Sequence, residues 1–188
     1  MHIAKAIISM GKTYHKQNAE VLYTNDLITV AAQSDIEDLK LLSTFNTRKR
    51  IRLCTHLNQM DLLHEMIIVH EKTAYVRPHK HPGKSESTHI IQGIVDVVLF
   101  DDEGRINKVI RMGDYASGKP FFYRMAMPIF HTLIIRSEVL VFHETTNGPF
   151  DRTSTLFAPW APEETDMNSV DDFLADLDRR VSLIVCSK

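Results

Sequence analysis

The sequence predicts an all-β core, an antiparallel barrel or jelly roll, with one helix leading into it and another packed outside it. Three observations carry that expectation. From Arg52 to Glu144, short runs rich in β-branched and aromatic residues follow one another. Turn signals separate them: Pro82-Gly83, Asp101-Asp102-Glu103-Gly104, Gly113-Asp114 and Gly118-Lys119-Pro120. No long helical periodicity interrupts the series, which argues against a parallel α/β sheet. A chain of 188 residues with 44% hydrophobic side chains can bury one core and is short for two. The expected division is an arm or edge strands over 1–26, a helical lead-in over 27–65, the barrel over 66–162, and a C-terminal helix and tail over 163–188.

Taken in order, the first segment has apolar patches at Ile3 to Met10 and Val21 to Tyr23, separated by GKTYHKQN. They read as edge strands or as an arm reaching across a partner subunit. Ser34-Asp35-Ile36-Glu37 has the form of a capping box, and Ile36, Leu39, Leu42 and Phe45 recur at helical spacing up to Asn46-Thr47. Strands are expected at Met66 to His70, Ala74 to His81, Ser87 to Gln92, Ile94 to Phe100, Lys108 to Met112, Phe121 to Met125, His131 to Ile135 and Val139 to Glu144. The turn Asn147-Gly148-Pro149-Phe150 and the proline-interrupted FAPWAPEE follow. Ser169 is then placed to cap a final helix whose stripe is Val170, Phe173, Leu174, Leu177 and Val181.

A formal net charge of −2 gives no electrostatic basis for binding nucleic acid or an anionic membrane. The basic run Arg48-Lys49-Arg50-Ile51-Arg52 is the local exception and reads as a solvated or ligand-facing edge. No apolar run is long enough to span a bilayer, and the apolar patch at the start is too short for a signal peptide, so a cytoplasmic protein is expected. Cys54 and Cys186 show no framework spacing, which fits reduced thiols.

The chemistry concentrates in YVRPHKHPGKSESTHIIQG, residues 75–93. His79 and His81 are one residue apart, so in an extended segment both imidazoles project to one side and can share an ion. Pro78 and Pro82 disfavour a helix there. After the turn Pro82-Gly83-Lys84-Ser85, Glu86 can return to the same centre, and Gly93 closes the second strand. A mixed imidazole and carboxylate set suits Fe, Mn, Co or Ni, with Zn at lower coordination, and the lack of a nearby cysteine excludes a closed thiolate site.

The pattern HxH, four residues, Glu, six residues, Gly resembles the first cupin motif without departure. More narrowly, PHKHPGKSESTHIIQG, VVLFDDEG, PIFHTL, NGPF and FAPWAPEE are similar to the WbuC-type cupin fold metalloproteins, small proteins encoded in some bacterial O-antigen clusters. The likeness runs from about Arg50 to Glu164. It implies a cupin double-stranded β-helix, one divalent transition metal, and His131 as the fourth ligand. The second motif departs from the general pattern: Ala126-Met127-Pro128 stands where Pro-x-Gly is expected, and Ile135 replaces an asparagine.

Alternation nominates the neighbours. Arg77 and Tyr75 share the face of the two histidines, with Lys80 opposite. Either Tyr123 or Arg124 lines the pocket. Thr88 and Ile90 point inward with Glu86, and His89 outward. Glu144 is a wall candidate, and His56 follows an Arg-x-Arg as in the resembling family. His64, His70, His89 and His143 default to structural roles, and Trp160 to packing. The expected function is a metal-dependent small-molecule enzyme, an oxygenase or an isomerase/decarboxylase, acting on a sugar or keto-acid-like ligand and linked by the resemblance to cell-surface polysaccharide metabolism. Its substrate contacts are drawn from Arg77, Tyr123, Arg124, Glu144 and His56. The competing expectation is a metal-organised binding or sensing module. A homodimer is expected because cupins commonly pair, with the apolar run Val181 to Val185 as one possible surface.

Overall fold

Residues 14–186 are described by a computed structural model of the chain. Twelve strands and two α-helices account for its regular structure among these residues: β1 Tyr14–Asn18, β2 Val21–Thr24, α1 Gln33–Ser43, β3 Arg50–Cys54, β4 Leu63–Glu71, β5 His79–Lys80, β6 Glu86–Gln92, β7 Ile94–Phe100, β8 Ile106–Gly113, β9 Phe122–Met125, β10 Phe130–Ile135, β11 Val139–Asn147, β12 Leu156–Phe157 and α2 Met167–Cys186. One sheet runs β1-β2-β3-β4-β11-β6-β9 and the other β12-β5-β10-β7-β8. Of these pairings β2–β3 is parallel and the rest are antiparallel.

Two sheets face each other, and a helix covers the outside of each. Between the sheets lie Met66, Ile68, Ile90, Val95, Val97, Leu140 and Phe142. The alternate residues of the large sheet, Ile51, Leu53, Ile67, Val69 and Val141, pack with Leu39 of α1. Val98, Phe100 and Phe130 of the small sheet pack with Leu177 and Val181 of α2. Because β4 and β11 bury side chains on both faces, they read as continuous apolar runs rather than alternating ones. This is a two-sheet jelly-roll arrangement, with one helix before it and one after it.

Several element boundaries differ from expectation for local reasons. The expected strand from Ala74 to His81 shrinks to His79–Lys80, because Pro78 removes a donor and Ala74 to Arg77 instead turn away from the ladder. Helix α1 begins before Ser34: its N-cap is Ala32, whose backbone N–H donates to the Asp35 carboxylate at 2.7 Å. Helix α2 is capped by Asp166, whose carboxylate accepts from the Ser169 N–H and Oγ, so Ser169 sits in the first turn. Val181 is fully buried and Val185 packs on the barrel, whereas Leu183 of the same run is exposed. Val21 to Tyr23 does form a strand, continuing the large sheet through β3. The patch Ile3 to Met10 lies outside the described residues.

An ionic clamp fastens α2 to the barrel. Asp96 of β7 is wholly buried and accepts from Arg111 Nε at 2.8 Å, Arg111 Nη2 at 2.9 Å and Arg136 Nε at 2.7 Å. Arg136 also reaches Asp178 on α2. Burial alone would raise the Asp96 carboxyl, but the two guanidinium groups outweigh it and hold the group below the usual carboxylate range.

Candidate functional site

Strand register brings the predicted ligands together from both sheets. His131 on β10 pairs directly with His79 on β5. His79 and His131 have ring centroids 4.6 Å apart, and His79 and His81 4.8 Å. Glu86, on β6 of the opposite sheet, places Oε1 at 3.0 Å from His131 Nε2 and Oε2 at 3.8 Å from His81 Nε2. Gly93 carries the chain from β6 of one sheet into β7 of the other at φ +97°, where a Cβ would fall 2.5 Å from the Val139 carbonyl oxygen.

The hydrogen bonds of the imidazoles fix what they present. His79 Nδ1 lies 2.8 Å from the Arg77 carbonyl and His131 Nδ1 3.0 Å from the Ile129 carbonyl. A carbonyl only accepts, so each Nδ1 donates and each neutral ring keeps its Nε2 lone pair. His81 Nδ1 faces the Ser154 carbonyl at 3.4 Å. Burial lowers the proton affinity of all three rings, that of His131 to about 4. Glu86 Oε1 is buried without a hydrogen-bond donor, so it and His131 Nε2 meet as two acceptors. Such a pair is unfavourable until a proton or a cation lies between them. Burial, and then Glu144, pushes the Glu86 carboxyl up, consistent with a proton held in the absence of another cation.

The donor set therefore fits a divalent transition metal in chemistry and in outer-shell support. Two ligands about 2.1 Å from an octahedral ion stand about 3.0 Å apart, the spacing that His131 and Glu86 already have. The four groups do not yet form a closed cage: among the described residues no set of three His, Cys, Asp or Glu side chains has the spacing of a complete site. His81 Nε2 stands 3.8 Å from Glu86 Oε2, and its ring lies 6.2 Å from that of His131.

These groups open into a cavity of about 450 Å³. Arg77, Tyr123, Glu144 and His56 line it. Arg77 stacks on Phe157 at 4.9 Å, and its Nε is buried with no acceptor. Tyr123 hydrogen-bonds with Thr88, and burial pushes its phenol strongly up, so it is a neutral donor. Thr88 also faces the cavity, Ile90 joins the core, and His89 is exposed as expected.

Other expectations change. Arg124 is exposed and absent from the cavity wall, because Tyr123 takes the inward face of β9 and alternation turns its neighbour out. Tyr75 leaves the face of His79, donating from its hydroxyl to the Pro162 carbonyl and packing on Phe173, since Ala74 to Pro78 are not a strand. His64 and His70, expected to be structural, both line the cavity, with His64 stacked on His56 at 4.0 Å. Trp160 packs on Phe100 and Phe130.

Arg52, which the sequence places in a basic run read as a solvated or ligand-facing edge, lines the cavity. Its signal was alternation: with Ile51 and Leu53 facing α1, Arg50 and Arg52 must face inward. At the mouth, Arg48 and Arg50 are occupied by Glu20 from the segment between β1 and β2 and by Glu164 from beyond β12.

Residues 31–112, less than half of the chain, match the family model described as Domain of unknown function (DUF6016). No curated protein matches the chain. Among solved structures, protein SO0799 from Shewanella oneidensis is similar at 10% identity and TM-score 0.45, over 55% of this chain and 66% of that one. Oxalate decarboxylase from Bacillus subtilis at pH 4.6 aligns at 18% identity and TM-score 0.45, over 57% of this chain. The Lactobacillus farciminis oxalate decarboxylase formate complex aligns at 16% identity and TM-score 0.42, over 52%. This chain spans 27% of each of those two oxalate decarboxylase chains. No ligand or activity passes between chains on likenesses of that size.

Proposed function

We propose that this chain is a metal-dependent enzyme of the cupin type, holding one divalent transition metal through His79, His81, Glu86 and His131. The observation that carries the reading is the acceptor-to-acceptor contact of His131 Nε2 and Glu86 Oε1, with the His79 and His131 Nδ1 atoms already committed to backbone carbonyls. Bound there, such an ion would supply a Lewis acid beside the cavity. The chain's own groups do the rest. Arg77 offers its unpaired Nε to an acidic group of the substrate, Tyr123 donates from its hydroxyl, and the half-buried Glu144 is placed to hold or take a proton. His56 lines the far wall. A small oxygen-rich molecule, a sugar or keto acid, suits such a cavity. The WbuC-type likeness adds a link to cell-surface polysaccharide metabolism.

Elemental analysis of protein purified without a metal-affinity tag is expected to find about one transition ion per chain, and His81→Ala to lose it. Metal content equal in both proteins would reject the ligand set. Oxygen uptake with keto acids, set against isomerase and decarboxylase assays on sugar acids, then separates the reaction classes. A loaded protein silent in all of them would be a metal-organised binding module.

A further inference from the structure

The inward face of β3 carries more charge than the barrel neutralises. Arg50 is satisfied by Glu20, Glu164 and the Tyr75 carbonyl. Arg52 lines the same cavity, yet its Nε is wholly buried and meets no acceptor. His70 pairs with Arg50 across the β3–β4 ladder and so lies diagonal to Arg52 on one face. Its Nδ1 is also buried and unpartnered. Leaving a buried guanidinium donor unsatisfied costs far more than the same group costs at the surface, and two such atoms side by side on one wall call for a shared acceptor. Burial and the charges of Arg50 and Arg52 hold His70 down to about 3, so it is a neutral ring able to offer a single N–H.

We propose that Arg52 and His70 form an oxyanion anchor, taking the carboxylate or phosphate end of a small acid whose other end is held at the metal-binding cluster. The proposal rests on the metal-centre reading for that other end, and the anchor itself needs no ion. A guanidinium fork matches two oxygens of a carboxylate or phosphate, while a neutral imidazole N–H supplies a third bond to the same group. Arg52 and His70 line the same cavity as His79, His81, Glu86 and His131, so anchor and cluster face one space. An acid bearing two functions can therefore span them, and a neutral sugar would leave the anchor unsatisfied.

The test is calorimetry on chelator-treated full-length protein, using malonate, inorganic phosphate and the neutral malonamide as probes. Wild type should bind malonate or phosphate saturably and malonamide not at all. Tighter phosphate binding would assign a phosphoryl end, tighter malonate binding a carboxylate end. Arg52→Met should weaken the oxyanion at least tenfold, and Arg52→Lys, which keeps the charge without the fork, several-fold. Arg52→Met should also melt no lower than wild type, since the buried Nε that it removes meets no acceptor. No saturable oxyanion binding by wild type, or equal affinity in wild type and both variants, would overturn the anchor. Metal content is read separately, so failure of either proposal leaves the other standing.

Discussion

A neutral imidazole and a carboxylate that touch through their lone pairs are an arrangement awaiting a positive charge, and Glu86 and His131 stand in it because their strands leave them little choice. The passage from β6, which carries Glu86, into β7 of the opposite sheet depends on Gly93. Its φ of +97° and the Cβ position 2.4 Å from Ser137 Oγ and 2.5 Å from the Val139 carbonyl admit no side chain without displacement of backbone. Gly93→Ala is expected to cost about 3 kcal/mol in urea unfolding, through a strained conformation and the clash together. His79, His81, Glu86 and Gly93 were legible from sequence because their relation is local, set by alternation and one turn. Arg52, His64 and His70 were not. They come from β3 and β4, where a charge run resembles a solvated edge, and where apolar side chains on both faces hide which one looks inward. The choice between Tyr123 and Arg124 was open for the opposite reason: nothing within that pair says which of two adjacent side chains the ladder turns to the cavity.

Helix α2 holds to the small sheet by an apolar stripe and by one ionic junction, and the two can be tested apart. Leu177 is fully buried against Phe100 and its neighbours, so Leu177→Ala should lower stability by about 2–5 kcal/mol without changing metal content. The junction at Asp96 gives a pH signature. Its folded-state carboxyl titrates below the ordinary 3.8, so its contribution is complete above that value and is lost as pH falls through the lower folded one. Asp96→Asn should cost about 3 kcal/mol at neutral pH, leaving Arg111 and Arg136 without their carboxylate, and should flatten the acid limb of the stability profile. Unfolding midpoints measured from pH 3 to 7 would decide it; parallel acid limbs in wild type and variant would refute the assignment. The stripe Val170, Phe173, Leu177 and Val181 was readable from its helical period, whereas a carboxylate inside an outwardly alternating strand was not. Its partners lie 15 and 40 residues away in sequence.

Across the whole molecule, the candidate ligands join the two sheets: His79 and His131 belong to one and Glu86 to the other. An ion bound there would stabilise the folded chain by mass action, by about 2.7 kcal/mol at a hundredfold excess over its dissociation constant. Chelation should therefore lower the melting temperature of loaded wild type and leave His81→Ala unmoved. Among the described residues no helix is long and apolar enough to cross a membrane. The salt bridges at the cavity mouth carry a last implication. Glu20 and Glu164 arrive from segments flanking the barrel on either side and grip the same pair of arginines. An acid entering the cavity would thus meet both arginines already neutralised from within, and a chain that shed its first hairpin would still keep Glu164 on Arg48 and Arg50.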